Sequence, residues 1–188
     1  MVLPIVHYGH PVLRKKGARI TEITPAVTKL IKDMLDTMYD AEGVGLAAQQ
    51  VAQALQLTVI DVREVKERPS TLELNGQPAD VAAFMPLVLI NPEVKGYGNT
   101  VAGPEGCLSF PEIYEDVTRP ELVEVSALNA EGKPMQFKAG GLLARAIQHE
   151  TDHLNGILFI DRMPTKAKQA LKPELDDLQA ETKACLPK

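Results

Sequence analysis

Gln148-His149-Glu150-Thr151-Asp152-His153-Leu154-Asn155-Gly156 places two histidines one helical turn apart, with a glutamate directly after the first. On a helix both imidazoles share a face and can grip one divalent cation. Glu150 then lies beside that ion, able to accept and return protons. The surrounding residues predict the helix. Gly140-Gly141 breaks what precedes it, and Gly156 stands where a helix ends in the left-handed conformation. Between them Leu142, Leu143, Ala146, Ile147, His149, His153 and Leu154 recur at helical spacing. Leu142, Ala146, His149 and His153 form one stripe, so the histidines point where the apolar face points. The bland alternative is two core histidines bonded to backbone. Against it, the chain has only 4 histidines, and two of them bracket a glutamate in this register.

Outward from this helix, the pattern is mostly strands. Leu122–Leu128 and Met135–Lys138 flank the turn Asn129-Ala-Glu-Gly-Lys133 and predict an antiparallel hairpin. Leu57–Val62 is rich in β-branched residues, and Leu87–Ile90 reads as a buried strand stopped by Asn91-Pro92. A short strand is predicted over Ile157–Ile160. Thr24-Pro25 opens an N-terminal helix whose apolar stripe runs from Val27 to Met38. Residues 63–84 are polar, carry Pro69, Asn75-Gly76 and Pro78, and read as a surface insertion with a turn at the Asn-Gly pair. From Thr165 a charged helix, interrupted near Pro173, forms a C-terminal helical tail over 165–188. Strands followed by a helix, without regular alternation, predict an α+β fold. Its antiparallel or mixed sheets would pack around the central histidine helix, with further helices at both ends.

A chain of 188 residues suits a single domain, or one domain with a tail, and 45% hydrophobic with 24% charged residues is ordinary for a globular protein. A net charge of −5 leaves no electrostatic footprint for nucleic acid or an acidic membrane surface. No basic flank followed by an apolar run opens the chain, and no apolar stretch approaches membrane-spanning length. With 2 cysteines and nothing to indicate an oxidising compartment, a cytoplasmic protein is expected, in which a cysteine serves as ligand or nucleophile.

A catalytic site of this kind takes three protein ligands and leaves one position for water. His7 and His10 lie near the N-terminus with no evident scaffold. Cys107, in the turn-rich Gly103-Pro-Glu-Gly-Cys-Leu-Ser-Phe-Pro111, would complete a sulfur–nitrogen–nitrogen set suited to ferrous iron, zinc, nickel or cobalt. Alone, Cys107 reads more readily as a small buried hydrophobe than as a ligand. Cys185 is incidental.

Three segments together resemble the peptide deformylase family: Gly43-Val44-Gly45-Leu46-Ala47-Ala48-Gln49-Gln50, Glu105-Gly106-Cys107-Leu108-Ser109 and Gln148-His149-Glu150-Thr151-Asp152-His153-Leu154. The similarity runs from Leu3-Pro4-Ile5 to about Met163. The resemblance implies that Cys107, His149 and His153 bind one metal ion, ferrous in the cell, with zinc, nickel or cobalt as substitutes. It implies Glu150 as general acid and base, and Gln50 with the backbone N–H of Leu108 as donors to the reacting carbonyl oxygen. Val44, Leu142 and Ala146 would line a pocket for a methionine side chain, while Gly45 and Gly106 let the peptide backbone lie close. The reaction implied is removal of the formyl group from the N-terminal formyl-methionine of nascent polypeptides, with release of formate, a step in N-terminal protein modification during protein biosynthesis. Ribosome association through Lys166, Lys168 and Lys172 would fit such a substrate, although these lysines read more readily as a solvated face. The chain departs from the family at Pro111-Glu-Ile-Tyr114, where some members carry an arginine, and in the length of 63–84. Asp152 is either a helix-positioning group or a solvated carboxylate. Two rival readings are a zinc peptidase or amidase drawing a third ligand from Asp161 or Glu174, and a non-catalytic metal-stabilised binding module.

Overall fold

In the computed structural model, which describes residues 1–187, one antiparallel sheet of seven strands wraps a central helix. The first helix, α1 (Pro25–Asp40), begins as its sequence predicts, with the Thr24 hydroxyl accepting from the Val27 N–H at 3.3 Å and Pro25 in the first turn. It buries Ile31, Met34 and Met38 against β1 (Gly45–Ala47) and β2 (Leu57–Ile60). After β3 (Ser70–Leu74), β4 (Gln77–Pro78) and the single turn α2 (Val81–Phe84) come two long strands, β5 (Leu87–Cys107) and β6 (Phe110–Leu128). They are followed by β7 (Pro134–Gly140) and α3 (Gly141–Leu154), the histidine helix. The strand order is β1-β2-β5-β6-β7-β3-β4, and every pairing between these strands is antiparallel.

Three expectations need correction. The first strand of the long hairpin does not stop at Asn91-Pro92. Asn91 takes a left-handed φ of 50°, and the register slips between Ile90 and Glu93, so the proline is absorbed without a missing ladder bond. The Asn91 side chain exchanges two hydrogen bonds with the Ile20 backbone, which holds the irregularity in place. Ile157–Ile160 is not a strand. Phe159–Asp161 forms a 3-10 turn instead, with the Asp161 carboxylate accepting from the Leu158 N–H at 2.9 Å, and its apolar residues join Phe110 in a core cluster. A short apolar run fits a buried turn as readily as a strand, and packing decides. Finally, the expected antiparallel packing around the helix holds, but in one sheet rather than several.

Residues 63–84, expected to form a surface insertion, turn at Asn75-Gly76 with both residues at positive φ and also add β3 to the edge of β7. Leu72 is thereby carried into the main core. This segment also finishes α3. That helix has no side-chain cap of its own, and its first N–H groups are satisfied by the Pro69 carbonyl at 3.1 Å to Leu142 and the Ser70 hydroxyl at 3.0 Å to Leu143. Gly141, at φ +65°, is required there, since a Cβ would lie 2.1 Å from the Pro69 carbonyl oxygen. The C-terminal helices are α4 (Thr165–Ala170) and α5 (Lys172–Ala184), parted at Leu171, with Pro173 in the first turn of the second. Among the described residues no helix is long and apolar enough to cross a membrane.

Candidate active site

The inner face of α3 and the turn between β5 and β6 meet at a cavity of about 380 Å³. Val44, Gly45, Gln50, Gly106, Cys107, Leu108, Leu142, Ala146, His149 and Glu150 all line it. His153 sits one turn beyond His149 on the same helix and is 1% exposed. Its Nε2 is 3.3 Å from the Cys107 Sγ. The turn Leu108-Ser109, which reverses the chain from β5 into β6, carries the cysteine to the helix. One ligand atom each from Cys107, His149 and His153 falls within 4.8 Å of the other two.

These donors fit a metal ion. A thiol and two imidazoles converging in a mostly buried place are poor company for one another but a good set for a soft-to-borderline divalent cation. Two buried atoms beside them, the Glu150 Oε2 and the His153 Nδ1, have no hydrogen-bond partner. Burial opposes a charge on His149, yet the Cys107 thiol and Glu105 outweigh it and hold the imidazole pKa well above its ordinary value. A surrounding that favours a proton on that ring favours a cation near it as well. Burial together with the neighbouring His149 keeps His153 well below the usual histidine range, so it is neutral and able to donate its lone pair.

Glu150 is buried at 5% exposure, and burial pushes its carboxyl up to about 7. A group poised there can both take and give a proton near neutral pH. It lies hard against Gly45, where a Cβ would come 2.5 Å from the Glu150 Oε1. At Gly106 a Cβ would meet the Tyr114 ring at 2.6 Å. Both glycines therefore make room for side chains of this protein, a reason not visible in the sequence. Gln50, 1% exposed, has its carbonyl end fixed by the Ala47 N–H at 2.9 Å. Its amide nitrogen is thereby aimed at the Ser109 hydroxyl, 3.2 Å away, and toward the Cys107 Sγ at 3.6 Å.

Sequence reasoning missed the group that holds His149. Glu105 accepts from the Arg119 Nε at 2.6 Å and Nη2 at 2.9 Å, and from the Arg145 Nη1 at 2.7 Å. Its Oε1 also meets the His149 Nδ1 at 2.9 Å. Although burial works against its charge, His149 and Arg119 hold Glu105 far below the usual carboxylate range. With Nδ1 engaged, His149 presents Nε2 to the cluster, the arrangement that fixes ring and tautomer at metal sites. Glu105 stood inside a quoted motif without a role. Arg145 offered a signal, lying one turn before His149 on the helix; Arg119 gave none. Asp152 proves to be a positioning group: Arg119 donates to it at 2.9 Å and Arg162 at 2.9 and 3.1 Å.

Neither rival ligand of the peptidase reading joins the cluster. Asp161 is taken up by Arg14 and the Leu158 N–H, and Glu174 is exposed on α5. A binding module would have no use for a buried, unpartnered carboxylate beside a three-ligand site open on one side. A cluster that could hold one metal ion beside a buried carboxylate, in a cavity of this fold, is what a metal-dependent hydrolase requires. The polypeptide deformylase family model matches residues 2–169, and the chain belongs to that family. It is 46% identical to the peptide deformylase of Opitutus terrae over 98% of this chain and 96% of that one. With that of Methylacidiphilum infernorum the identity is 48%, over 95% and 94%. Among solved structures, the peptide deformylase of Legionella pneumophila superposes with a TM-score of 0.79 at 35% identity, covering 100% of both chains. A peptide deformylase from Synechococcus elongatus, in complex with actinonin, gives 0.75 at 40% identity, over 96% of this chain and 86% of that one.

Proposed function

We propose that the chain, as a single catalytic domain, removes the formyl group from N-terminal formyl-methionine of nascent polypeptides, using Cys107, His149 and His153 to hold one divalent metal ion. The reading is carried by one observation: the three donors converge within 4.8 Å beside the unpartnered Glu150 carboxylate, in the cavity lined by Gln50. The ion, when bound, supplies Lewis acidity that makes water a usable nucleophile at neutral pH. Glu150 accepts the proton of the attacking water and passes it to the departing amine nitrogen, a transfer typically worth about 10²–10⁴-fold. The Gln50 amide and the Leu108 backbone N–H donate to the formyl oxygen as negative charge gathers on it. Val44, Leu142 and Ala146 present the apolar wall that takes the methionine side chain, and the peptide backbone passes Gly45 and Gly106.

The family resemblance implies ferrous iron as the physiological ion; the sulfur–nitrogen–nitrogen set accepts zinc, nickel or cobalt as well, and iron with a thiolate predicts loss of activity in air. A cytoplasmic protein near ribosomes would suit that substrate, with Lys166 and Lys168 exposed on α4 for contact, while Lys172 pairs with Asp176. Formate release from an amidated formyl-Met-Ala-Ser peptide, measured anaerobically on iron- or nickel-loaded protein, tests the reading. Release is expected; a fully metallated protein that releases none would overturn it.

A further inference from the structure

Arg14, Arg63, Arg119, Arg145 and Arg162 each bind a carboxylate. Exposed Arg19 does not, and neither does Arg68, whose guanidinium meets neither a carboxylate nor a carbonyl among the described residues. Yet it is half-buried and lines the active-site cavity beside Leu142. Its base is rigid, because the next two residues, Pro69 and Ser70, bond the first N–H groups of α3. A fork of five donors, set on a fixed support at the edge of a substrate cavity, has its bonding capacity free. The other charges facing the cavity are Glu42 and Glu112, both exposed and neither paired with Arg68, the buried Glu105–Arg145 pair, and Glu150.

We infer that Arg68 is a specificity residue that recognises a carboxylate in the peptide beyond the formyl-methionine, so that acidic residues close behind the methionine are favoured over basic ones. The inference rests on the deformylation reading above. With the methionine side chain against Leu142, the residues that follow leave the cavity past the neighbouring Arg68. A carboxylate arriving there gains a charge-assisted, two-pronged hydrogen bond, whereas a lysine meets like charge. The alternative is that Arg68 only lays its aliphatic stem along the wall and leaves its charge in water.

Peptides amidated at the C-terminus, formyl-Met-Asp-Ala, formyl-Met-Ala-Asp and their lysine counterparts, isolate the side-chain carboxylate; unamidated formyl-Met-Ala-Ala isolates a chain-terminal one. Wild type is expected to favour Asp over Lys by roughly 3- to 10-fold in kcat/KM at low salt, through KM, with the ratio shrinking at high salt. Arg68→Glu should invert the ratio and Arg68→Lys should keep its direction. A gain confined to the unamidated peptide would keep carboxylate recognition and assign it to the chain end. Equal ratios in wild type and Arg68→Glu would overturn the inference. Failure of wild type to act even on amidated formyl-Met-Ala-Ala would instead remove the deformylation reading beneath it.

Discussion

The two flanks of α3 are built on opposite principles. On one, the His149 Nδ1 and the Asp152 carboxylate are saturated: Glu105, Arg119, Arg145 and Arg162 join them in a continuous set of charge-assisted hydrogen bonds, most of it buried. On the other, Glu150 and His153, equally buried, each keep an atom with no partner. Buried polar groups are ordinarily paired, and an exception needs a reason. The saturated flank orients the helix and leaves the His149 Nε2 facing the ligand cluster; the unsatisfied flank adds His153, whose Nε2 faces Cys107, and the Glu150 carboxylate, where a reacting proton is accommodated. The contrast teaches that stability and activity should separate by residue.

The sharpest way to break that contrast is Glu150→Ala. Activity of the metal-loaded protein should fall by about 10²–10⁴-fold. The midpoint of urea unfolding should hold or rise, because a buried carboxylate without a partner has been removed. A large loss of stability would sink the idea that this flank contributes nothing to the scaffold.

Glu105→Ala is the converse. Buried Arg145 loses its one carboxylate and buried Arg119 one of its two, and breaking such a buried pair typically costs about 3–5 kcal/mol of stability. His149 loses its orienting bond as well, which should weaken metal affinity by about 10–100-fold in a competition titration with a chelator. Were Glu105→Ala as stable as wild type, the saturated flank would be ornamental.

Gln50→Ala should raise the barrier by about 2.7–4 kcal/mol, seen in kcat, with metal content unchanged. Retained kcat would remove Gln50 from the reacting oxygen. The smallest effect is expected for Arg162→Ala, at the outer, half-exposed end of the network. Such a pair contributes about 1 kcal/mol or less, readable as a small shift in thermal midpoint that salt reduces.

The parts of the site that were legible in the sequence are those set by local geometry. Histidines one turn apart must share a helix face, and Gly140-Gly141 and Gly156 mark the helix limits whatever surrounds them. Cys107 became convincing as a ligand only alongside two further motifs. The long hairpin was read short because a proline after Leu87–Ile90 ordinarily ends a strand, and the bulge at Asn91 that rescues it depends on Ile20, far away in sequence. The 63–84 segment was read as surface because it is polar, although every second side chain of an edge strand is free to be polar. Leu72 is its one fully buried apolar residue, and Leu74, Val81 and Phe84 pack half-buried against the same core.

By itself the sequence determined the α+β class, the helix that carries His149, Glu150 and His153, and the chemistry those residue types allow together. These follow from periodicity and from the coordination preferences of side chains, which act over a few residues. Only the tertiary structure decided what holds that chemistry in place. Glu105 bonds Arg119 and Arg145 across 14 and 40 residues of chain, Pro69 and Ser70 finish a helix 73 residues beyond Ser70, and Arg68 comes to rest unpaired at the cavity edge. Pairings of that kind leave no local pattern, because what selects them is the cost of leaving a charge or a backbone N–H buried alone, and that cost exists only once the chain has closed around it.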